Sequence, residues 1–280
     1  MKLLKVVFSN LFLLVAWSAF AQDALTLQDE AYGTDSLQKM DVYLLPDRTL
    51  TTPVVILVHG GGWMAGDKEA CNFMKDFLTT QGINIININY RLATTGKITY
   101  REVMADMDLA IDHVLKKADQ WQIRKTKYVF WGGSAGGHLA MLYAYKYDKK
   151  NVISAVTTLG GPTKLDDIET LSKGKKEDIE GLLPLITGDK WQPENLAQSY
   201  QDASPFYAIA FRPTLLMHGE KDNIVPVGQA QIMYTHLKEN EVPTELIVLE
   251  NGGHGGEGTS AETSKKMAVT ILKWVQKYGL

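Results

Sequence analysis

The sequence predicts an α/β protein built on a mostly parallel, doubly wound sheet of eight strands. Six short runs rich in Val, Ile and Leu show little apolar–polar alternation, as expected of strands covered by helices on both faces. The segments between them carry apolar residues at three-to-four spacing, as amphipathic helices do.

At the start of the chain, Lys2 and Lys5 precede the apolar stretch 11–17 and the small-x-small signal Ala19-Phe-Ala21, the pattern of a secretory signal peptide cut after Ala21. Ser9 and Asn10 interrupt the apolar stretch, which falls short of the roughly 18–20 residues that span a bilayer. The expectation is export, to the periplasm or beyond the cell, with residues 22–280 forming one domain and no stable membrane insertion after cleavage.

Residues 24–30 and 37–45 alternate apolar with polar side chains around the turn-like Tyr32-Gly-Thr-Asp35 and read as an antiparallel pair at a sheet edge. The six continuous runs follow at 54–58, 83–88, 128–131, 152–159, 214–217 and 245–249. Helical patterns occupy 67–80, 101–118, 135–147, 229–240 and 261–278; Val103, Met107, Ala110 and Val114 illustrate the spacing. Residues 162–212 are too long for a simple connection and read as an insertion, either a lid over a substrate pocket or a surface decoration.

With 280 residues, 45% of them hydrophobic and 22% charged, the chain is a globular protein large enough to bury about three quarters of its unfolded surface without disulfides or a structural metal. A net charge of −3 lacks the basic footprint of a nucleic-acid binder. The lysines at 173, 175 and 176 are interleaved with Glu177, Asp178 and Glu180 and read as a solvated face. The single cysteine, Cys71, cannot form an internal bridge and reads as a small buried hydrophobe, not a nucleophile.

Chemistry is concentrated in three places. Gly132-Gly-Ser-Ala-Gly136 is a G-x-S-x-G pentapeptide directly after one apolar run and directly before a helix, the context in which a strained strand-to-helix turn lifts a serine, here Ser134, to the carboxyl edge of a sheet. The helix N-terminus beneath it favours developing negative charge. His59-Gly-Gly-Gly-Trp63 follows an earlier strand, and its glycines allow backbone N–H groups to approach a ligand without Cβ obstruction, as an oxyanion hole requires.

Together with Asn89-Tyr-Arg-Leu-Ala93, these motifs resemble those of the hormone-sensitive-lipase-like bacterial esterases, in the family's order and from about Val54 to the C-terminal helix. The chain is also similar to smaller relatives that remove acetyl or feruloyl groups from plant cell-wall polysaccharides. The resemblance implies the α/β-hydrolase fold. Two departures stand beside it: Gly133 where the family often has an acidic residue, and Thr94-Thr95 where it often has Pro-Glu.

In this fold the nucleophile is followed along the chain by an acid and then a histidine. Asp222 lies in the loop after the run at 214–217, and His254 in the Gly-rich loop before the last helix. Asp202 is an alternative acid. The expected reaction is hydrolysis of a small-molecule or polysaccharide ester through an acyl-enzyme, with Ser134 as nucleophile, His254 as base and Asp222 orienting it. By resemblance and position, the N–H groups of Gly61, Gly62 and Ala135 would hold the oxyanion. Trp63 fits two roles, a wall of the substrate pocket or a core aromatic bracing the glycine loop.

His138 and His218 read as packed or hydrogen-bonded histidines, His113 and His236 as helix-surface or boundary residues, and His59 as a donor fixing its loop. No spacing resembles a zinc site, and neither metal nor cofactor is expected. Peptidase or amidase chemistry on the same residues is a second reading, and a binding protein on an inactive hydrolase scaffold a third. Composition and pattern leave oligomeric state open.

Overall fold

The computed structural model describes residues 22–94 and 97–280. The expected leader, residues 1–21, and Thr95 of the departure noted above lie outside the described residues. In chain order the elements are β1 (Leu25–Ala31), β2 (Lys39–Leu44), β3 (Val54–Val58), α1 (Asn72–Thr80), β4 (Asn84–Ile88), α2 (Tyr100–Trp121), β5 (Tyr128–Gly133), α3 (Ala135–Leu142), β6 (Ile153–Leu159), α4 (Ile168–Leu171), α5 (Lys176–Thr187), α6 (Gln198–Asp202), β7 (Thr214–Gly219), α7 (Gly228–Glu239), β8 (Thr244–Leu249) and α8 (Ala261–Gly279).

The eight strands form one sheet in the order β1-β2-β4-β3-β5-β6-β7-β8. The edge pair is antiparallel, β2 also runs antiparallel to β4, and every pairing from β4 to β8 is parallel. This is the expected mostly parallel, doubly wound sheet of eight strands. Its continuous apolar runs follow from burial on both sides: all five residues of β3 are buried, with Val54, Ile56 and Val58 in one core and Val55 and Leu57 in the other. The period-two alternation is present but feeds two cores, so it leaves no polar trace. Helices α2, α3 and α7 cover the first face; α1 and α8 cover the second.

Local chemistry sets several boundaries. Thr99 and Glu102 form a capping box at the start of α2, with the Thr99 N–H donating to Glu102 Oε2 at 2.8 Å, and Ser260 Oγ caps α8 by accepting from Thr263 N at 3.1 Å. The helix expected to begin at Asp67 begins instead as a 3-10 turn over Lys68–Cys71. The backbone of Lys68 is taken by its neighbours: its N–H donates to Asn89 Oδ1 and its carbonyl accepts from Asn87 Nδ2, both at 2.6 Å. Its ammonium sits among Asp29, Asp41 and Asp67. The α-helix therefore starts only at Asn72. Likewise α3 gives way to a π turn over Tyr143–Tyr147.

After β3 the chain turns to β4 on one side, while β5 lies on the other, so the loops following β3 and β5 diverge at the carboxyl edge of the sheet. Such a switch point is where open α/β sheets bind ligands. The segment 162–212 folds into α4, α5 and α6, and Leu171, Leu182 and Leu183 from its first two helices border a cavity at that same edge.

Candidate active site

Ser134 sits between β5 and α3 with φ 52° and ψ −125°, left-handed backbone that a residue with a Cβ rarely adopts. The strain is held by hydrogen bonds on both sides: Ser134 N donates to Leu159 O at 2.7 Å, and His138 N donates to Ser134 O at 3.1 Å. Close packing beneath the turn requires Gly136, where an added Cβ would lie 2.1 Å from the Val58 carbonyl oxygen. The serine is lifted, half-buried, above the ends of β3 and β5.

Distant loops bring two further groups to it. His254, in the turn after β8, has Nε2 2.7 Å from Ser134 Oγ, and its Nδ1 lies 2.7 Å from Asp222 Oδ2, in the turn after β7. With Nδ1–H donating to the carboxylate, Nε2 is left to accept the serine proton. Asp222 is buried; its Oδ1 accepts the N–H groups of Ile224 and Val225, each at 2.9 Å. Burial raises the affinity of this carboxyl for a proton, but hydrogen bonds from His218, His254 and Val225 outweigh it and hold the group well below the usual carboxylate range. It therefore stays ionised throughout the neutral range.

Asp202, the other candidate acid, is on α6. It faces Arg101 at 3.8 Å and does not join this relay, because α6 belongs to the 162–212 segment and ends away from the β7–α7 turn that carries Asp222.

Among the described residues, no protein acceptor takes the N–H of Gly61, Gly62 or Ala135. All three residues line a cavity of about 450 Å³ that also opens onto Ser134 and His254. Gly61 (φ +113°) and Gly62 (φ +59°) hold the loop in a conformation that side chains disfavour. Trp63 borders the cavity and is 4% exposed, with its indole N–H donating to His138 Nδ1 at 3.1 Å. His138 in turn donates from Nε2 to Ala203 O at 2.7 Å, which ties the glycine loop to the 162–212 segment.

Asn89-Tyr-Arg-Leu-Ala93 braces the same loop. Tyr90 stacks on His59 at 4.3 Å and its hydroxyl donates to the His59 carbonyl at 2.9 Å, while Ala93 N donates to Trp63 O at 2.8 Å. Arg91 clamps the fully buried Asp106. His59 Nδ1 donates to Gly60 O at 2.7 Å, as a loop-fixing donor would.

A smaller groove of about 220 Å³ reaches Ser134 and His254 from the opposite side, past Cys71, Phe73 and Trp131. Burial pushes the Cys71 thiol up to about 12, so it remains a neutral packing group.

Sequence reasoning placed His218 among the packed or hydrogen-bonded histidines but did not foresee its contact with Asp222. It is buried, and its Nε2 lies 3.1 Å from Asp222 Oδ2, the oxygen that also receives His254. Its only signal was the four-residue step from His218 to Asp222. Among the described residues, no group of three or more His, Cys, Asp or Glu side chains is arranged to hold a metal ion, and no helix is long and apolar enough to cross a membrane.

A doubly wound sheet with an antiparallel edge pair, a strained serine after its fifth strand and a histidine after its last defines an α/β-hydrolase. The chain belongs to the BD-FAE family, which it matches over residues 40–237. It is 27% identical over 241 residues to Esterase LipC of Mycobacterium tuberculosis, covering 80% of this chain and 58% of that protein. It is 31% identical over 123 residues to the kynurenine formamidase of Salmo salar, covering 42% of this chain and 38% of that one. Among solved structures, a truncated carbohydrate esterase from gut microbiota has the same fold, with TM-score 0.75 at 20% identity over 92% of this chain and 98% of that one. The chain spans a little over half the length of the curated esterase relatives it matches, 58% and 51% for the first two.

Proposed function

We propose that the protein is a serine carboxylic-ester hydrolase. The observation that carries this is the unbroken line Ser134 Oγ, His254 and Asp222, with 2.7 Å at each step, facing a cavity bordered by three backbone N–H groups that have no acceptor among the described residues. His254 takes the Ser134 proton as the oxygen attacks an ester carbonyl. The N–H groups of Gly61, Gly62 and Ala135 receive the charge that forms on the carbonyl oxygen, and a donor of this kind is worth about 3–4 kcal/mol in the barrier. His254 then returns the proton to the departing alcohol. The acyl-enzyme is hydrolysed by water that the same imidazole deprotonates.

Within this reading, Trp63 and the 162–212 segment form the wall and lid of the main pocket, and the leader directs residues 22–280 out of the cytoplasm as one catalytic domain. Acetyl or feruloyl esters of plant polysaccharides are the proposed natural substrates, in keeping with the esterase and carbohydrate-esterase names among the proteins it resembles. The test is labelling by a fluorophosphonate probe together with turnover of acetyl, butyryl and feruloyl esters. Labelling at Ser134, lost with activity in Ser134→Ala, supports the proposal; an unlabelled Ser134 in folded protein overturns it. Release of no acetate or ferulate from xylan, beside good turnover of simple esters, overturns the polysaccharide reading alone.

A further inference from the structure

The acid of the relay carries more than its share of hydrogen bonds. Asp222 Oδ1 is occupied by two backbone N–H groups of its own turn, Ile224 and Val225, and Oδ2 by two imidazoles, His254 at 2.7 Å and His218 at 3.1 Å. The His218 Nε2 also lies 2.7 Å from the Val225 carbonyl oxygen. Both of its partners are acceptors, so the proton of His218 is on Nε2 and is shared between them. Its Nδ1 is buried without a partner among the described residues. The ring is therefore held in one tautomer, presenting a single N–H to the carboxylate oxygen that faces His254.

We infer that His218 is a positioning residue of the hydrolase: its Nε2–H locks the rotation of the Asp222 carboxylate and competes with His254 for Oδ2, which sets how strongly that carboxylate holds the His254 imidazolium. The inference rests on the serine-hydrolase reading above. It differs from a merely structural role, in which His218 would only staple the strand end to the Val225 carbonyl. Removing the N–H frees Oδ2 to interact with His254 alone. The carboxylate becomes more basic and its aim less certain, so the imidazolium is held more tightly and the neutral base appears only at higher pH. Besides Asp222 and His218, the titratable groups near His254 are Asp178 of α5, which borders the same cavity, Glu257, which accepts the Gly255 N–H in the His254 loop, and Cys71 across the smaller groove. None of these contacts the Asp222 oxygens.

The test compares His218→Leu, which removes the donor, with His218→Gln, whose amide N–H reaches the place of Nε2, and with His218→Asn, whose shorter amide does not. Fluorophosphonate labelling of wild type at Ser134 comes first; its failure would sink the parent reading and leave the geometry of His218 unaddressed by kinetics, so a titration is run independently of activity. In a Ser134→Ala background, the His254 ring is titrated by NMR. The expected result is that the leucine variant raises the His254 midpoint by roughly half a pH unit or more and lowers kcat about tenfold to a hundredfold with KM little changed, while the glutamine variant restores most of both. If the leucine variant does not fold, glutamine against asparagine carries the comparison. Equal midpoints and equal kcat in the donor-bearing and donor-free variants, whatever their thermal stability, would overturn the inference.

Discussion

Lowering the pH from about 7.5 to 4 should remove about 3 kcal/mol of stability through one side chain, His138. The imidazole is fully buried on α3, its Nδ1 accepting from the Trp63 indole and its Nε2 donating to the Ala203 carbonyl. The Trp63 bond needs the neutral ring: a proton on Nδ1 would face the N–H of Trp63, donor against donor, whereas the Nε2–H bond to the Ala203 carbonyl survives protonation. Burial drives the pKa of His138 down from 6.5 to about 4, partly countered by the Ala203 carbonyl and assisted by the charge of Lys146. The folded value is the depressed one, so the unfolded chain binds the extra proton first as pH falls, and stability present above pH 6.5 is lost on the way down to 4. At about 1.4 kcal/mol per unit, that gap gives a loss of about 3 kcal/mol by pH 4 and little further loss below it. Carboxylates titrate in part of the same window, so the measurement is a difference: urea unfolding of wild type and His138→Leu at about pH 7.5, 5.5 and 4. The variant is less stable at the highest pH, where it leaves the Trp63 N–H and the Ala203 carbonyl without their partner. The gap between the two proteins should then close by about 3 kcal/mol at the lowest. Parallel stability curves would refute the assignment.

Two further perturbations probe how the loops are held. Arg91→Met leaves the wholly buried Asp106 with only the Gln38 amide and the Arg91 backbone N–H, and should cost about 3 kcal/mol in chemical denaturation, the lower end for breaking a buried pair. Gly136→Ala forces a Cβ to within 2.1 Å of the Val58 carbonyl, rigid backbone at the centre of the sheet, and should lower the melting temperature by at least 10 °C or abolish soluble expression; a folded protein melting like wild type would show that β3 and α3 can part.

What could be read from the sequence, and what could not, follows from the range of the forces involved. The inner strands were legible because burial on both faces turns them into nearly unbroken apolar runs, as in β3, and in β4 apart from the buried Asn84 and Asn87. The G-x-S-x-G turn was legible because its glycines answer a local steric demand. The positions of Asp222 and His254 followed from chain order and from loops at strand ends; the structure sets His254 against Ser134 and Asp222 against the far side of the His254 ring. Missed details depend on contacts between residues far apart in sequence. The 3-10 start of the first helix reflects Asn87 and Asn89 seizing the backbone of Lys68 from about twenty residues away. Place in the fold separates Asp202 from Asp222: Asp202 ends α6 of the 162–212 segment and faces Arg101, whereas Asp222 lies in the loop after β7.

Asn89-Tyr-Arg-Leu-Ala93 gives this limit its sharpest form. As a string it stands beside the glycine loop and the serine turn as a third motif, and a motif invites a chemical role. In three dimensions none of its side chains reaches Ser134 Oγ: Asn89 fixes the Lys68 turn, Tyr90 stacks on His59, Arg91 clamps Asp106 and the Ala93 N–H holds Trp63. Every one of these contacts ends on a segment adjoining the glycine loop or on the helix beneath it. A loop built of three successive glycines has little torsional preference of its own, so the direction of its N–H groups must be imposed from outside. The motif supplies that constraint, and its chemistry is exerted through the aim of backbone it does not itself contain.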